Sequence, residues 1–296
     1  MKNNIEIKEF SHNEKKNFYN KINNFYNYDK TVIETMSTNK QILVSNNYIK
    51  KINIIDKSIK HNLIKLLNKL VILLDNYKID YWLDFGSLLG ALRNGKFIPW
   101  DDDIDLGMPD YSFYKLRNII KSFEKKIINN KEYYIYKEFK LKFIIEDILF
   151  QVSFYNDIKE YYFCDIILYE KKNDKYITKD NYWTSLGKYN IKDIFPLNYI
   201  KFENYYYKCP ANPIPYINSV FWFWKHIGLA SHTHHEDLKN RNKNLYFLLN
   251  KNINNINIPH MTIYKNKPNK QTKKNKTKKN KTKKTKTKKN KTKKNI

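Results

Sequence analysis

Asp101, Asp102, Asp103 and Asp105 make the densest carboxylate cluster of this 296-residue chain, and four of its six glycines, Gly86, Gly90, Gly95 and Gly107, lie close by. All fall within one segment, Tyr81 to Met108, YWLDFGSLLGALRNGKFIPWDDDIDLGM. Glycine is used where φ must be positive or where another group approaches the main chain closely. A bare backbone beside clustered carboxylates points to phosphate and metal. On a strand, alternate side chains share a face, so Asp101, Asp103 and Asp105 would stand together while Asp102 and Ile104 point the other way. Three carboxylates on one face repel, raise one another's pKa and weaken the fold unless a divalent cation compensates. Oxygen-only ligands favour Mg²⁺ or Mn²⁺ over zinc. An isolated Asp run is usually a solvated turn; here a Gly-Ser pair precedes it and Trp100 and Leu106 flank it, which favours a site.

The elements that must position these residues follow from periodicity. Ile59, Leu63, Leu66, Leu67, Leu70 and Leu74 recur at three and four positions and predict an amphipathic helix over Ser58 to Asn76, with Ser58 as cap. Asp80 to Phe85 reads as a buried strand, and Leu88 to Arg93 as a short helix closed by Asn94-Gly95. Strand, glycine turn and helix make an arrangement that cradles phosphate. Ile98 to Met108 reads as a loop entering a strand, Tyr111 to Asn129 as a helix, and Tyr133–Lys137, Phe150–Tyr155 and Tyr162–Tyr169 as strands. Four prolines between Asp193 and Tyr216 predict loops there. The fold class is α/β (α+β): a mixed sheet flanked by helices.

The Tyr81 to Met108 segment strongly resembles the LicD and fukutin-related family, in which a Gly-Ser or Gly-Thr turn precedes an Asp-x-Asp strand in a nucleotidyltransferase-type fold. The likeness extends over about residues 58 to 216, through FCDIILY at 163–169 and, more loosely, DIFPLNYIKFENYYYKCPANP at 193–213. The resemblance implies transfer of a phospho-alcohol, such as phosphocholine or phosphoribitol, from a CDP-linked donor to a sugar hydroxyl of a glycan. It implies Mg²⁺ (or Mn²⁺) as cofactor, two ions about 4 Å apart, with Asp101, Asp103, Asp105 and Asp165 as ligands and Asp103, Asp105 and Asp165 at the chemistry. Gly86 and Ser87 would offer donors to phosphate and Arg93 a neutralising charge, although an Arg here also reads as a surface cation and Asp165 as a hydrogen-bonded buried carboxylate. The family's Tyr-Gly pair near the domain end is replaced by Phe221, Trp222, Phe223 and Trp224. Those aromatics read as a core wall rather than a stacking pocket, and His232, His234, His235 and Glu236 as a surface loop rather than a zinc site.

Apolar residues make up 41% of the chain and aromatics 16%, enough for a packed core. Of the net +27, the 17 lysines of residues 265–296 leave +10 for the rest. That tail holds no acidic residue and cannot bury enough surface to fold, so it is expected to be disordered and to offer binding to polyanions such as nucleic acid or an anionic surface. Residues 1–50 read as an accessory region, 51–262 as the catalytic domain and 263–296 as the tail. Cys164 and Cys209 are too few for a disulfide framework. With neither signal peptide nor apolar span visible, a soluble cytoplasmic protein is expected, and the basic tail is compatible with nuclear import. Two other functions fit the same residues: transfer of NMP from an NTP to a hydroxyl, and a non-catalytic polyanion-binding protein.

Overall fold

A computed structural model describes residues 55–156, 163–178, 188–221, 224 and 262–268, together with the backbone of three short strands at 42–43, 227–230 and 245–248. In chain order the elements are β1 (Ile42–Leu43), α1 (Lys57–Asn76), β2 (Trp82–Leu83), α2 (Phe85–Asn94), β3 (Ile104–Pro109), α3 (Asp110–Lys121), β4 (Glu124–Ile128), β5 (Lys131–Tyr136), β6 (Leu141–Ile145), β7 (Leu149–Phe154), β8 (Phe163–Lys172), β9 (Lys175–Thr178) and β10 (Lys188–Asn190). There follow α4 (Ile191–Ile194), β11 (Asn198–Phe202), β12 (Tyr205–Cys209), α5 (Ile214–Val220), β13 (Ile227–Ala230) and β14 (Leu245–Leu248). The mixed α/β class is as expected, with a sheet that is mostly antiparallel.

β8 is the hub of that sheet. β7 runs antiparallel along one edge. Along the other edge lie first β3, parallel, and then β9, antiparallel. The β4–β7 meander extends the sheet on one side, β10 closes it on the other, and β2 pairs with β3. Strand alternation gives β3, β7 and β8 two unlike faces. Ile104, Leu106, Met108, Phe150, Val152, Cys164, Ile166 and Leu168 are fully buried on the first. Phe113 of α3 stacks on Phe150 at 4.0 Å and Lys69 of α1 lies over the Phe154 ring, so both helices cover this side. Leu63, Leu66, Leu67, Leu70 and Leu74 are the buried stripe of α1, each worth roughly 1.5–3 kcal/mol on removal from water. The opposite face carries Asp105, Gln151, Asp165 and Tyr169.

Several boundaries differ from the sequence reading, each for a physical reason. α1 is capped by Asp56, whose carboxylate accepts from the Ser58 N–H at 2.6 Å, so Ser58 is the capped residue and not the cap. The helix expected over Tyr111 to Asn129 stops at Lys121, and Glu124–Ile128 pairs with β5 through the turn at Asn129 and Asn130, both of positive φ. The proline region contains the β11–β12 hairpin and α5. Glu203 at the hairpin turn donates its N–H to the Gly95 carbonyl at 2.7 Å and accepts from the Phe97 N–H at 3.0 Å, bracing the chain that leads into the acidic segment. Cys164 and Cys209 are free and buried. Residues 1–41, the histidine group at 232–236 and most of the lysine-rich tail lie outside the described residues, and of Phe221 to Trp224 only the two ends are described. Trp224 is buried and Phe221 packs on the core, in keeping with an aromatic wall.

Candidate active site

The bend that presents the site lies one residue earlier than the Gly-Ser pair. Asp84 is extended, Phe85 has φ of 32°, and α2 begins there, so Gly86 and Ser87 belong to its first turn. The helix ends at Gly95, whose φ of 64° is the left-handed closure that Asn94-Gly95 predicted. A side chain at Gly86 would put a Cβ 2.6 Å from Asp101 Oδ2 and 3.2 Å from Asp105 Oδ2, so these two carboxylates flank a backbone that only glycine leaves bare. At Gly107 a Cβ would meet the Trp82 indole at 2.3 Å, since Trp82 lies opposite it in the β2–β3 ladder.

Of Asp101, Asp103 and Asp105, only Asp105 is on a strand. β3 starts at Ile104, so Asp101 and Asp103 stand in the entry loop, and the premise of three carboxylates on one strand is corrected. The grouping survives: Asp102 and Ile104 are buried while Asp101, Asp103 and Asp105 are partly open. Asp165 is the register partner of Asp105 in the parallel β3–β8 pair, which sets it beside Asp105 on the same face. Gln151, opposite Asp165 on β7, points its amide at Asp165 Oδ1 at 3.5 Å.

The electrostatics follow from burial and crowding. Burial first, then Asp103 and Asp102, pushes the Asp101 carboxyl well above the usual range, with Lys60 and Arg93 opposing. Burial, then Asp103, Asp101, Asp165 and Asp84, does the same to Asp105. The Asp101 Oδ2 atom is buried and receives no hydrogen bond. Among the described residues no three His, Cys, Asp or Glu side chains converge into a ready metal cage. What they do form is a crowded, oxygen-only set of carboxylates with one orphaned oxygen, donors of the kind that Mg²⁺ or Mn²⁺ prefers.

The remaining expected residues are placed as follows. Gly86 donates its N–H to Asp105 Oδ2 at 3.0 Å, and the buried Ser87 hydroxyl accepts from the Asp105 N–H at 3.1 Å. This reciprocal pair ties the first turn of α2 to β3, one bond to the Asp105 carboxylate and one to its backbone. Arg93 is buried rather than a surface cation. Its Nε donates to the Trp224 carbonyl at 2.8 Å, burial lowers its pKa to about 10, and Asp101 counters that fall. The Pro-Ala-Asn stretch at 210–212 is a clasp: the Asn212 N–H reaches the Asp193 carbonyl at 2.8 Å and its amide the Asp193 carboxylate at 3.2 Å.

Sequence reasoning missed Asp84. It is fully buried, with Oδ2 accepting from Tyr169 Oη at 2.6 Å and Oδ1 from Tyr189 Oη at 3.0 Å. Tyr216 completes the group, 3.2 Å from Tyr169 Oη. Burial raises the Asp84 pKa to about 6 against the tyrosine hydrogen bonds. A lone Asp at the end of an apolar strand was the available signal, but its partners lie 85 and 105 residues away.

A family model described as LicD/FKTN/FKRP, nucleotidyltransferase domain, matches residues 78–212. An uncharacterized protein of Rickettsia typhi is 27% identical over 200 residues, covering 66% of this chain and 56% of that protein, so the chain spans little more than half of that relative's length. Human "Ribitol 5-phosphate transferase FKRP" is 63% identical over 30 residues, 10% of this chain and 6% of that one. "Lipopolysaccharide cholinephosphotransferase LicD" of Haemophilus influenzae is 58% identical over 36 residues, 12% and 14% of the two chains. Residues 78–212, which contain the acidic cluster, Asp165 and the clasp, are a domain of the LicD/FKTN/FKRP family.

Proposed function

We propose that this protein is a metal-dependent transferase that moves a phospho-alcohol, phosphocholine or phosphoribitol or a close relative, from a CDP-linked donor to a sugar hydroxyl of a glycan. The observation that carries the reading is the approach of Asp101 and Asp105 to the bare backbone of Gly86, with Asp165 beside Asp105 on the neighbouring strand and the Asp101 Oδ2 atom buried and lacking a donor. The names of the relatives, a ribitol 5-phosphate transferase and a cholinephosphotransferase, support the class of group transferred.

A divalent cation bound by Asp101, Asp103, Asp105 and Asp165 would neutralise charge on the donor pyrophosphate. The chain's own residues do the rest. The acceptor oxygen forms a bond to the phosphorus that bears the alcohol, the bond to CMP breaks, and CMP departs with the electron pair. The acceptor proton passes to whichever carboxylate of the cluster lies nearest the acceptor hydroxyl. The Gly86 and Ser87 hydrogen bonds hold Asp105 in place, and Arg93 sets a fixed positive charge behind Asp101.

Incubation with CDP-choline, CDP-ribitol, CDP-glycerol and NTPs distinguishes the outcomes. Metal-dependent CMP release with one CDP-alcohol is expected; pyrophosphate release from an NTP would replace this reading with nucleotidyl transfer. The tail reading is separable: deletion of residues 265–296 is expected to abolish salt-sensitive polyanion binding and to leave transfer intact. No helix among the described residues is long and apolar enough to cross a membrane.

A further inference from the structure

Asp84 sits beside the acidic cluster without joining it. Its backbone N–H donates to the Asp105 carbonyl at 3.0 Å, continuing the β2–β3 ladder and setting the two carboxylates opposite one another. Like charges directly opposite on a sheet destabilise it, and Asp84 adds to the repulsion on Asp105. An apolar residue would avoid that cost. Both Asp84 oxygens are taken by tyrosine hydroxyls, so it is not a ligand. The tyrosines come from three separate elements, Tyr169 from β8, Tyr189 from β10 and Tyr216 from α5. The Tyr189 and Tyr216 rings stack at 3.6 Å, and Tyr216 meets the Phe85 ring edge-on at 6.1 Å. Phe85 is the residue of positive φ, a conformation that persists in a non-glycine residue only where its surroundings impose it. Immediately after it come the Gly86 and Ser87 hydrogen bonds to Asp105.

We propose that Asp84, clamped by Tyr169, Tyr189 and Tyr216, is a positioning residue: it fixes the Asp84–Phe85 bend that seats Gly86 and Ser87 against the acidic cluster and so sets the spacing of Asp101 and Asp105 for a divalent cation. The proposal rests on the metal reading given above and adds residues that touch neither cation nor donor. Outer groups that orient ligands typically account for about 10- to 100-fold in metal affinity.

The test measures Mn²⁺ affinity of the full chain by the electron paramagnetic resonance signal of free Mn²⁺, with thermal melting in chelator alongside, for Asp84→Asn, Tyr189→Phe and Asp103→Asn. Asn offers one acceptor oxygen where three hydroxyls need two, and Tyr189→Phe removes a single hydroxyl while keeping the charge of Asp84. About ten-fold weaker Mn²⁺ binding is expected for Tyr189→Phe and a larger loss for Asp84→Asn, with Asp103→Asn losing binding altogether. A merely structural role would lower the melting temperature and leave Mn²⁺ affinity unchanged. That result for Asp84→Asn and Tyr189→Phe, with binding lost in Asp103→Asn, overturns the proposal and spares the metal reading. Wild-type binding by Asp103→Asn overturns the metal reading and the proposal with it. Should Asp84→Asn fail to fold, Tyr189→Phe decides alone.

Discussion

Asp84 is fully buried and Asp101, in the same short segment, is partly open with one buried oxygen, and the fold treats the two carboxylates in opposite ways. Asp84 has both oxygens filled by tyrosine hydroxyls drawn from distant parts of the chain. Asp101 keeps an oxygen that is shut away from water and meets no donor. Buried polar atoms are nearly always paired, because an unpaired one costs its full desolvation. The contrast teaches that this chain can satisfy a carboxylate here when it needs to. On the function proposed above, the unsatisfied group is left open for a cation.

The comparison breaks most visibly if the open carboxylates are dispensable. Asp103→Asn or Asp105→Asn is expected to abolish transfer while the circular dichroism spectrum stays that of the folded protein; turnover near wild type would remove these residues from the chemistry. Next in size is Arg93→Met, which strips the buried cation from beside Asp101 and is expected to cost roughly 3–5 kcal/mol in urea unfolding. Adding Asp101→Asn to it should recover part of that loss, and strict additivity would show that the two charges do not interact. A smaller effect on stability, within about 1 kcal/mol, is expected for Gly86→Ala, because alanine favours the helix while its Cβ crowds the Asp101 carboxylate. Its signature is weaker Mn²⁺ binding in a protein that melts nearly as before; unchanged affinity would mean that the close approach is incidental. The smallest effect belongs far from either carboxylate. Lys125 pairs with Glu132 at 2.6 Å on the exposed β4–β5 hairpin, and Lys125→Ala should leave the melting temperature and turnover where they were.

How much of this was legible in the sequence divides along range. The α1 stripe and the left-handed closure at Gly95 depend on neighbours a few residues apart, and the structure places both where spacing put them. β7 and β8 were legible from their aromatic and β-branched runs. The end of α3 was not, because Glu124–Ile128 has a helix-compatible composition and becomes a strand only through pairing with β5. For the site, the acidic residues and Gly86 announce themselves by type. Their geometry was legible only in part: Asp101 and Asp103 precede the strand and come to share its open side through the entry loop. The buried setting of Arg93 depends on the Trp224 carbonyl, 131 positions away, and the tyrosines around Asp84 are ordinary core residues until the fold turns their hydroxyls inward.

The central claim, that the acidic cluster is a divalent-cation site, has a signature in pH. The folded proton affinities of Asp84, at about 6, and of Asp101 and Asp105 are raised above the ordinary carboxylate value near 3.8. Groups raised in the folded state contribute stability that is fully present below their unfolded value and is lost as pH rises through the folded one. In chelator, the melting temperature should therefore fall as pH climbs from about 4 through 6 and beyond. A cation that binds only the deprotonated folded cluster acts in the opposite sense, stabilising more as pH rises. The deciding measurement is the melting temperature with EDTA and with Mn²⁺ across this range. A gap between the two curves that opens with rising pH, and is lost in Asp103→Asn, is the predicted result; superimposable curves at neutral pH would contradict the account.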